Sequence, residues 1–294
     1  MRGIRRTPRT MLTATACALA LGAATGLPLA TVTATSAAAA SICTSASHPL
    51  IAAKTSAGIS AAVAARPGSF VAVAVSDPTD GLNCQLHNAN HFYAASVMKV
   101  TILSALLMKV GGPTHLTATQ KNLATLMITQ SDNSAAQTLW TEEGISAVQN
   151  FLTKAGMSET VLCTCGAWGL TRITAHDELR QMQVLTNSTV LSSASRGYVL
   201  TLMSEVISSQ RWGISAGAPS VEKLHIKNGW LNYPGIGDWN INSIGAFTGP
   251  KNYQIVVLTA PSSVSAGQSE TYGIDTVQAV AYAFNHHLAL WAHL

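Results

Sequence analysis

The sequence predicts an α+β fold, in which helices flank one antiparallel sheet and an all-helical lobe is inserted between its strands. Two β-rich segments joined by a turn lie early in the chain, and three more lie after residue 220. The long stretch between these two groups has apolar residues at helical spacing. Strands from both ends can pair into one sheet, so the helical stretch is expected to form a second lobe, with a cleft for chemistry between the two.

The first forty residues have the pattern of a secretion signal. Four arginines, at positions 2, 5, 6 and 9, precede an apolar run, and an alanine-rich site follows at 36–40. We expect cleavage near Ala40 and a secreted or extracellular protein with no stable membrane insertion. The Arg5-Arg6 pair leaves the export route open between the general and the twin-arginine pathways.

The apparent basicity of the chain belongs to this signal. The whole chain has a formal net charge of +4, and the signal holds four arginines and no acidic residue. The mature chain is therefore close to neutral, which gives no indication of a nucleic acid or an anionic membrane surface as a partner. We expect a monomer that uses no metal or organic cofactor.

Four cysteines remain in the mature chain, and in an exported protein they can pair in three ways. Cys43–Cys84 is the preferred pair, because each lies beside an element of the predicted sheet. Cys163 and Cys165 form a C-x-C, in which a bridge would close a tight ring, so this pairing is less favoured. A metal at these two cysteines is disfavoured, because no histidine stands nearby at ligand spacing.

The elements follow from spacing and from their boundary residues. An amphipathic helix over 46–65 ends at Pro67-Gly68, and the strands 69–75 and 82–87 flank a turn. The helix over 174–185 has Thr174 as its N-cap and acidic residues in its first turn. The other predicted helices span 96–110, 117–129, 134–140, 146–155, 192–208 and 271–289, and the late strands span 224–230, 239–247 and 253–260. The sheet lobe is thus predicted over 41–95 and 213–294, and the helical lobe over 96–212.

The first chemical motif is Ser96-Val97-Met98-Lys99. A serine hydroxyl needs an adjacent base to become a nucleophile, and positions i and i+3 of a helix share one face. Burial can lower the pKa of a lysine enough for it to act as that base. The N–H of Ser96, at the helix start, is also placed to bind a developing oxyanion. A second S-x-x-K match, Ser220 to Lys223, precedes a strand and is interpreted as coincidence.

Two further motifs follow in order. Ser131-Asp132-Asn133 is by itself typical of a polar turn between helices, but it also offers Ser131 as a proton relay and Asn133 as a ligand for a substrate amide. Lys227-Asn228-Gly229, on a predicted strand, places a cation near Ser131. Gly229 would let the backbone approach the substrate, and the N–H of Trp230 would be a second oxyanion donor.

The three motifs together resemble the S-x-x-K, S-D-N and K-T-G signature of the class A β-lactamases and the wider penicillin-recognising serine enzymes. The segments 92–100, 124–136 and 171–177 are similar to the active-site helix, the S-D-N helix and the helix start after the Ω-loop of that family. The resemblance extends over residues 46–290. It implies the β-lactamase/transpeptidase-like fold and an acyl-enzyme on Ser96, with Lys99, Ser131 and Lys227 as its machinery and Asn133, Asn228, Gly229 and Trp230 as substrate-binding residues.

Three departures from the family pattern matter. The segment 161–172, which corresponds to the Ω-loop, contains no Asp or Glu, so the family's deacylating glutamate is missing. Asn228 replaces the Thr or Ser that binds a substrate carboxylate. Ser131 follows Ser96 by only 35 positions, so a loop that walls the family's cleft is absent. His176 is interpreted first as a residue of a helix start, and second as a candidate for a water-activating base.

The sequence leaves several functions open. The first is β-lactam hydrolysis; others are a D,D-peptidase or esterase acting on a peptidoglycan-like or other small substrate, and a penicillin-binding module that deacylates slowly. A non-enzymatic relic that binds the cell wall is disfavoured, because Ser96, Lys99, Ser131 and Lys227 are all present.

Overall fold

The computed structural model of the protein describes residues 41–232, 238–262 and 267–291. The predicted secretion signal, residues 1–40, lies outside this part of the chain. The chain from residue 40 onward forms one compact unit. The division of this unit into lobes at residues 95 and 212 stays a prediction.

Six strands form one antiparallel sheet in the order β1-β3-β2-β8-β7-β6, which joins the early hairpin to the late strands as predicted. A separate two-stranded ladder pairs β4 with β5. The strands are β1 Cys43–Thr44, β2 Ser69–Asp77, β3 Leu82–Leu86, β4 Phe92–Tyr93, β5 Arg172–Ile173, β6 Lys223–Asn232, β7 Trp239–Thr248 and β8 Tyr253–Pro261.

The helices of the described residues follow the predicted order. They are α1 Pro49–Ala64, α2 Met98–Val110, α3 Ala118–Thr129, α4 Asn133–Glu143, α5 Ile145–Ala155, α6 Ala175–Thr186, α7 Ser193–Ser204 and α8 Glu270–Trp291. Thr117 caps α3 in a capping box with Gln120, and Thr174 caps α6 as expected. The predicted helix over 192–208 is shorter than expected, because α7 ends at Ser204.

The central strands are buried on both faces, and each face packs against a different hydrophobic core. Val71, Val73 and Val75 of β2 pack in the core beneath α1 and α8. The intervening Ala72 and Ala74 face the core shared with α2 to α7. The two-residue period of a strand therefore separates the layers, and small alanines let the helical layer approach closely.

Two disulfides cross-link the chain. Cys43 and Cys84 are direct register partners on β1 and β3 and are bonded, which confirms the preferred pairing. Cys163 and Cys165 are also bonded, so the less favoured C-x-C bridge is present. Both sulfurs of the C-x-C are thereby engaged. In the described residues, no helix combines the length and apolar character that crossing a bilayer requires.

Candidate active site

Ser96 lies where strand β6 meets the start of α2. The predicted helix over 96–110 begins with a 3-10 turn, Ala95–Val97, before the α-helix starts at Met98. Ala95 has φ +48° and Ser131 has φ +60°, conformations that cost energy for residues with a Cβ. Such strain is typical of functional sites. Here it affects Ala95, which precedes the predicted nucleophile, and Ser131, which is the predicted proton relay.

Lys99 is fully buried and its ammonium joins the first two motifs. Its Nζ lies 2.7 Å from Ser96 Oγ, 3.0 Å from Ser131 Oγ and 2.8 Å from Asn133 Oδ1. It also donates to the backbone carbonyl of Ser131 at 2.7 Å. The predicted contact is therefore present: the spacing of three residues places the amine of Lys99 beside the hydroxyl of Ser96.

Lys227 approaches Ser131 from the sheet. Its Nζ donates to Ser131 Oγ at 2.9 Å and to the carbonyl of Asn228 at 3.2 Å. Ser131 Oγ therefore stands between two lysines, which suits a hydroxyl that passes a proton. Burial lowers the pKa of both lysines, that of Lys99 to about 7, and the nearby Lys99 lowers the pKa of Lys227 further.

The S-D-N motif has a structural and a candidate chemical role. Asp132 is the N-cap of α4, because its Oδ1 accepts from the N–H of Ala135 at 2.7 Å. The cap fixes the helix start, and with it Ser131 and Asn133 on either side. Asn133 is exposed and lines a cleft of about 310 Å³ together with Gln137, Ala167, Trp168, Gly169, Leu170 and Leu231.

Strand β6 presents alternate residues to opposite faces, and this determines what the side chain of Asn228 contacts. The Nδ2 of Asn228 donates to the carbonyls of Gln210 and Trp212, both at 2.9 Å, and its Oδ1 accepts from Ser243 at 2.6 Å. The side chain is fully buried and has no hydrogen left for a ligand. The side chain is thus engaged within the protein, and the substrate-binding role expected of Asn228 stays a prediction.

Trp230 lies on the same face as Asn228. Its ring contacts Trp212 edge-on, with centroids 5.8 Å apart, and packs against the core beneath α1 and α8. The indole is thus a packing group, and it is not among the described residues that line this cleft. The oxyanion role predicted for its backbone N–H stays a prediction.

Gly229 lies on the other face, against the nucleophile segment. A Cβ at this position would lie 2.9 Å from three backbone atoms, Ala94 O, Ser96 N and Val97 N. The absence of a side chain is needed for β6 to reach the start of α2. The close approach at Gly229 is thus to the backbone of Ser96, and its approach to a substrate stays a prediction.

Asn242, on β7 opposite Gly229, was not singled out from the sequence as a site residue. Its Nδ2 donates to the carbonyls of Tyr93 and Ala94 at 2.8 and 3.1 Å, and the residue is fully buried. This clamp holds the chain just before Ser96. The polar Asn240, Asn242 and Ser243 on a strand that was predicted to pair in the sheet were the available signal, because buried amides need partners.

The loop 161–172 is fixed beside Ser96 at both ends. Val161 and Arg172 exchange two backbone hydrogen bonds, of 2.8 and 3.0 Å, and the N–H of Ala94 donates to Thr171 at 2.8 Å. Within the loop, the ring of Trp168 lies over Lys99, with Nζ 4.8 Å from the ring centroid. Trp168 was also not predicted as a site residue, and its position beside the lysine could not be inferred from its spacing.

His176 lies with two acids. Its Nδ1 is 3.6 Å from Glu159 Oε2 and 3.4 Å from Asp177 Oδ1. It takes no part in the hydrogen bonds of Lys99 or Ser131. The role of water-activating base considered for it stays a prediction.

Proteins in which these three motifs occur on such a fold form the class of penicillin-recognising serine enzymes. A family model described as "Beta-lactamase enzyme family" matches residues 108–288, which is more than half of the chain. The chain belongs to this family. Because the matched segment begins after Lys99, the first motif lies outside it.

Comparisons with single proteins of known sequence or structure agree with this family. LppW of Mycobacterium tuberculosis H37Rv, a protein named as a lipoprotein, is 27% identical over 232 residues, which cover 75% of this chain and 71% of LppW. A class A β-lactamase from Bacteroides cellulosilyticus is 17% identical with a TM-score of 0.68, over 81% of this chain and 98% of that one. A β-lactamase from Sphaerobacter thermophilus is 21% identical with a TM-score of 0.66, over 80% and 97% of the two chains. These two structures establish the fold.

Proposed function

We propose that the protein is an exported serine hydrolase that reacts with β-lactams through an acyl-enzyme on Ser96. The observation that carries the proposal is the position of Lys99 Nζ, within hydrogen-bonding distance of both Ser96 Oγ and Ser131 Oγ. One amine thereby connects a nucleophile to a proton relay. The family's activity on β-lactams supports the choice of substrate.

Acylation begins when neutral Lys99 accepts the proton of Ser96 Oγ, which attacks the lactam carbonyl. A pKa of about 7 leaves much of Lys99 neutral at physiological pH, so it can act as this base. The backbone N–H groups of Ser96 and Trp230 stabilise the oxyanion. The C–N bond then breaks, and the leaving nitrogen receives its proton through Ser131 Oγ, which Lys227 keeps oriented.

Substrate recognition falls to the cleft beside this machinery. Asn133 accepts from Lys99 through Oδ1 and is exposed, so its Nδ2 is free to donate to a substrate amide carbonyl. The Asn228 side chain is engaged elsewhere, so a carboxylate on the substrate needs other partners. We therefore expect weaker dependence on the β-lactam carboxylate than in enzymes with a hydroxyl at this position.

Turnover of a chromogenic cephalosporin tests the hydrolytic form of the proposal, with Ser96→Ala as control. Hydrolysis that depends on Ser96 supports a β-lactamase. Release of D-alanine from a peptide ending in D-Ala-D-Ala, with the same dependence, supports a D,D-peptidase, and ester cleavage supports an esterase. If Ser96→Ala hydrolyses the cephalosporin as fast as the wild type, Ser96 is not the nucleophile.

A second candidate function is a penicillin-binding module that acylates and deacylates slowly. The observation that favours it is the loop 161–172, which carries no carboxylate to activate water. A stoichiometric burst of cephalosporin cleavage without further turnover would support this candidate.

Export to the cell exterior belongs to the same proposal. It rests on the signal pattern of residues 1–40, on the Cys43–Cys84 disulfide and on the lipoprotein name of LppW. Determination of the N-terminus of the protein from its native culture tests it, with a start near Ser41 expected.

A further inference from the structure

The amine nitrogen of Lys99 is surrounded by polar atoms of the protein and by one aromatic ring. Its hydrogen-bonding partners are oxygens of Ser96, Ser131 and Asn133. The ring of Trp168 lies 4.8 Å from Nζ. In the free protein these oxygens take the hydrogen-bonding positions of Nζ. Acylation consumes the Ser96 hydroxyl, so the side of the amine that water could then reach is the one beside the Trp168 ring.

Trp168 is held firmly in this position. It starts the 3-10 turn Trp168–Leu170, whose carbonyl at Trp168 accepts from the N–H of Thr171 at 3.1 Å. A Cβ on Gly169 would lie 3.7 Å from Ala95 Cα, so this turn packs directly on the residue before the nucleophile. The indole is half-buried and packs against the core of the helical layer.

The loop 161–172 itself, all of it described, carries no carboxylate to activate water. The acids that flank it, Glu159 and Asp177, are engaged with their neighbours. Glu159 Oε2 accepts from Thr174 Oγ1 at 2.7 Å, and Asp177 Oδ2 accepts from Thr160 Oγ1 at 2.7 Å. Among the described residues, neither carboxylate is ion-paired with Lys99.

Trp168 also lines the cleft of about 310 Å³ that holds Asn133. An acyl group on Ser96 would therefore have the indole beside it, between Lys99 and the solvent on that side. Exclusion of water from a reactive intermediate slows its hydrolysis.

From this juxtaposition we propose that Trp168 is a positioning residue that excludes water from Lys99 and thereby prolongs the life of the Ser96 acyl-enzyme. The inference rests on the proposed function, because it needs an acyl-enzyme to act on. In the step that it slows, a water oxygen attacks the acyl carbonyl, the ester bond to Ser96 Oγ breaks, and the proton of the water returns to that oxygen. Acylation needs no water and is left nearly unchanged.

Four variants separate shielding from general damage: Trp168→Ala, Trp168→Gln, Trp168→Phe and, as matched control, Thr164→Ala. Thr164 is an exposed residue of the same loop, between the two bonded cysteines. Each protein is acylated with benzylpenicillin, freed of excess reagent, and followed by intact-mass spectrometry. Formation and decay of the adduct are measured separately.

We expect the adduct of Trp168→Ala and of Trp168→Gln to decay at least about tenfold faster than that of the wild type, with acylation within about threefold. Trp168→Phe, which keeps a ring over the amine, and Thr164→Ala should decay like the wild type. If Trp168 only supported the fold, its replacement would also slow formation of the adduct. Decay would then not change independently of formation.

An adduct that decays at the wild-type rate in Trp168→Ala, or in Trp168→Gln if the alanine variant does not fold, overturns the inference and leaves the proposed function intact. If the wild type forms no adduct at all, the proposed function fails and the inference fails with it.

Discussion

At the scale of single residues, the candidate site depends on one amine in a buried position. Lys99 is held by three side-chain oxygens, and burial brings its pKa to about 7 against the opposing effect of the Asp132 carboxylate. A lysine in water would be almost fully protonated at that pH and could not accept a proton. The environment, and not the residue type, therefore gives it the properties of a base.

The pH dependence of acylation tests this role. Because only neutral Lys99 can accept the proton of Ser96, the acylation rate should rise with pH through about 7 and level off above it. Well below this pKa the rate should fall about tenfold per pH unit, as the neutral fraction does. Rates of benzylpenicillin adduct formation from pH 5.5 to 9 measure it, and a flat profile would exclude Lys99 as the base.

Gly229 provides a second test at this scale. In Gly229→Ala the new Cβ would lie 2.9 Å from Ala94 O, Ser96 N and Val97 N, and backbone atoms cannot rotate away. The shift of Ser96 should reduce acylation by about a hundredfold or more. Gly197→Ala, in α7 with open space around its Cβ position, is the matched control and should acylate normally. Equal acylation by both variants would show that Gly229 does not set the position of Ser96.

The residues that carry the site were largely predictable, and the exceptions have physical reasons. The i, i+3 spacing of a helix predicts that Ser96 and Lys99 lie together. The order of the three motifs, which resembles the family signature, predicts Ser131 and Lys227. The contacts of Asn228 could not be predicted, because a strand turns alternate side chains to opposite faces and the motif alone does not say which face meets the cleft. Trp168 and Asn242 reach the site through tertiary contacts, which no local spacing encodes.

At the scale of elements, α6 carries an unusual group. Glu178 is fully buried, its two oxygens have no hydrogen-bond partner among the described residues, and burial raises its pKa to about 8. It is therefore neutral at pH 7 in the folded protein, whereas in the unfolded chain it is ionised above about pH 4.5. Its effect on stability follows from this difference.

Glu178 should make the protein less stable as pH rises. Below its ordinary pKa of 4.5 the carboxyl is neutral in both the folded and the unfolded state, so it does not change the free energy of unfolding. Between pH 4.5 and 8 only the unfolded chain loses the proton, so the free energy of unfolding falls. Glu178→Gln removes the titration, so the variant should gain on the wild type by more than about 1 kcal/mol between pH 5 and 7. Thermal unfolding of both proteins across this range measures it, and parallel curves would contradict the burial of a neutral carboxyl.

Elements were predicted more reliably than their ends. The helix expected over 96–110 begins with a 3-10 turn, and the helix expected over 192–208 ends at Ser204. In the first case the β6 strand, packed through Gly229 against the segment at Ser96, shapes the start of the helix. Tertiary contact of this kind overrides the apolar spacing on which the prediction rested.

At the scale of the whole molecule, the sheet separates two hydrophobic cores. Strands at both ends of the chain pair in one sheet, so the helices from α2 to α7 are inserted between β3 and β6 and cover one face. The largely apolar sequences of the central strands β2 and β8 suit burial on both faces. The site lies where the inserted helices meet β6, so Lys99 and Lys227 come from different layers and converge on Ser131.

The central claim is that Ser96 forms an acyl-enzyme, and intact-mass spectrometry of the mature protein with benzylpenicillin tests it most directly. The account predicts a mass increase of one penicillin on the wild type and none on Ser96→Ala. An adduct of equal yield on Ser96→Ala, or no adduct on folded wild-type protein, would contradict it.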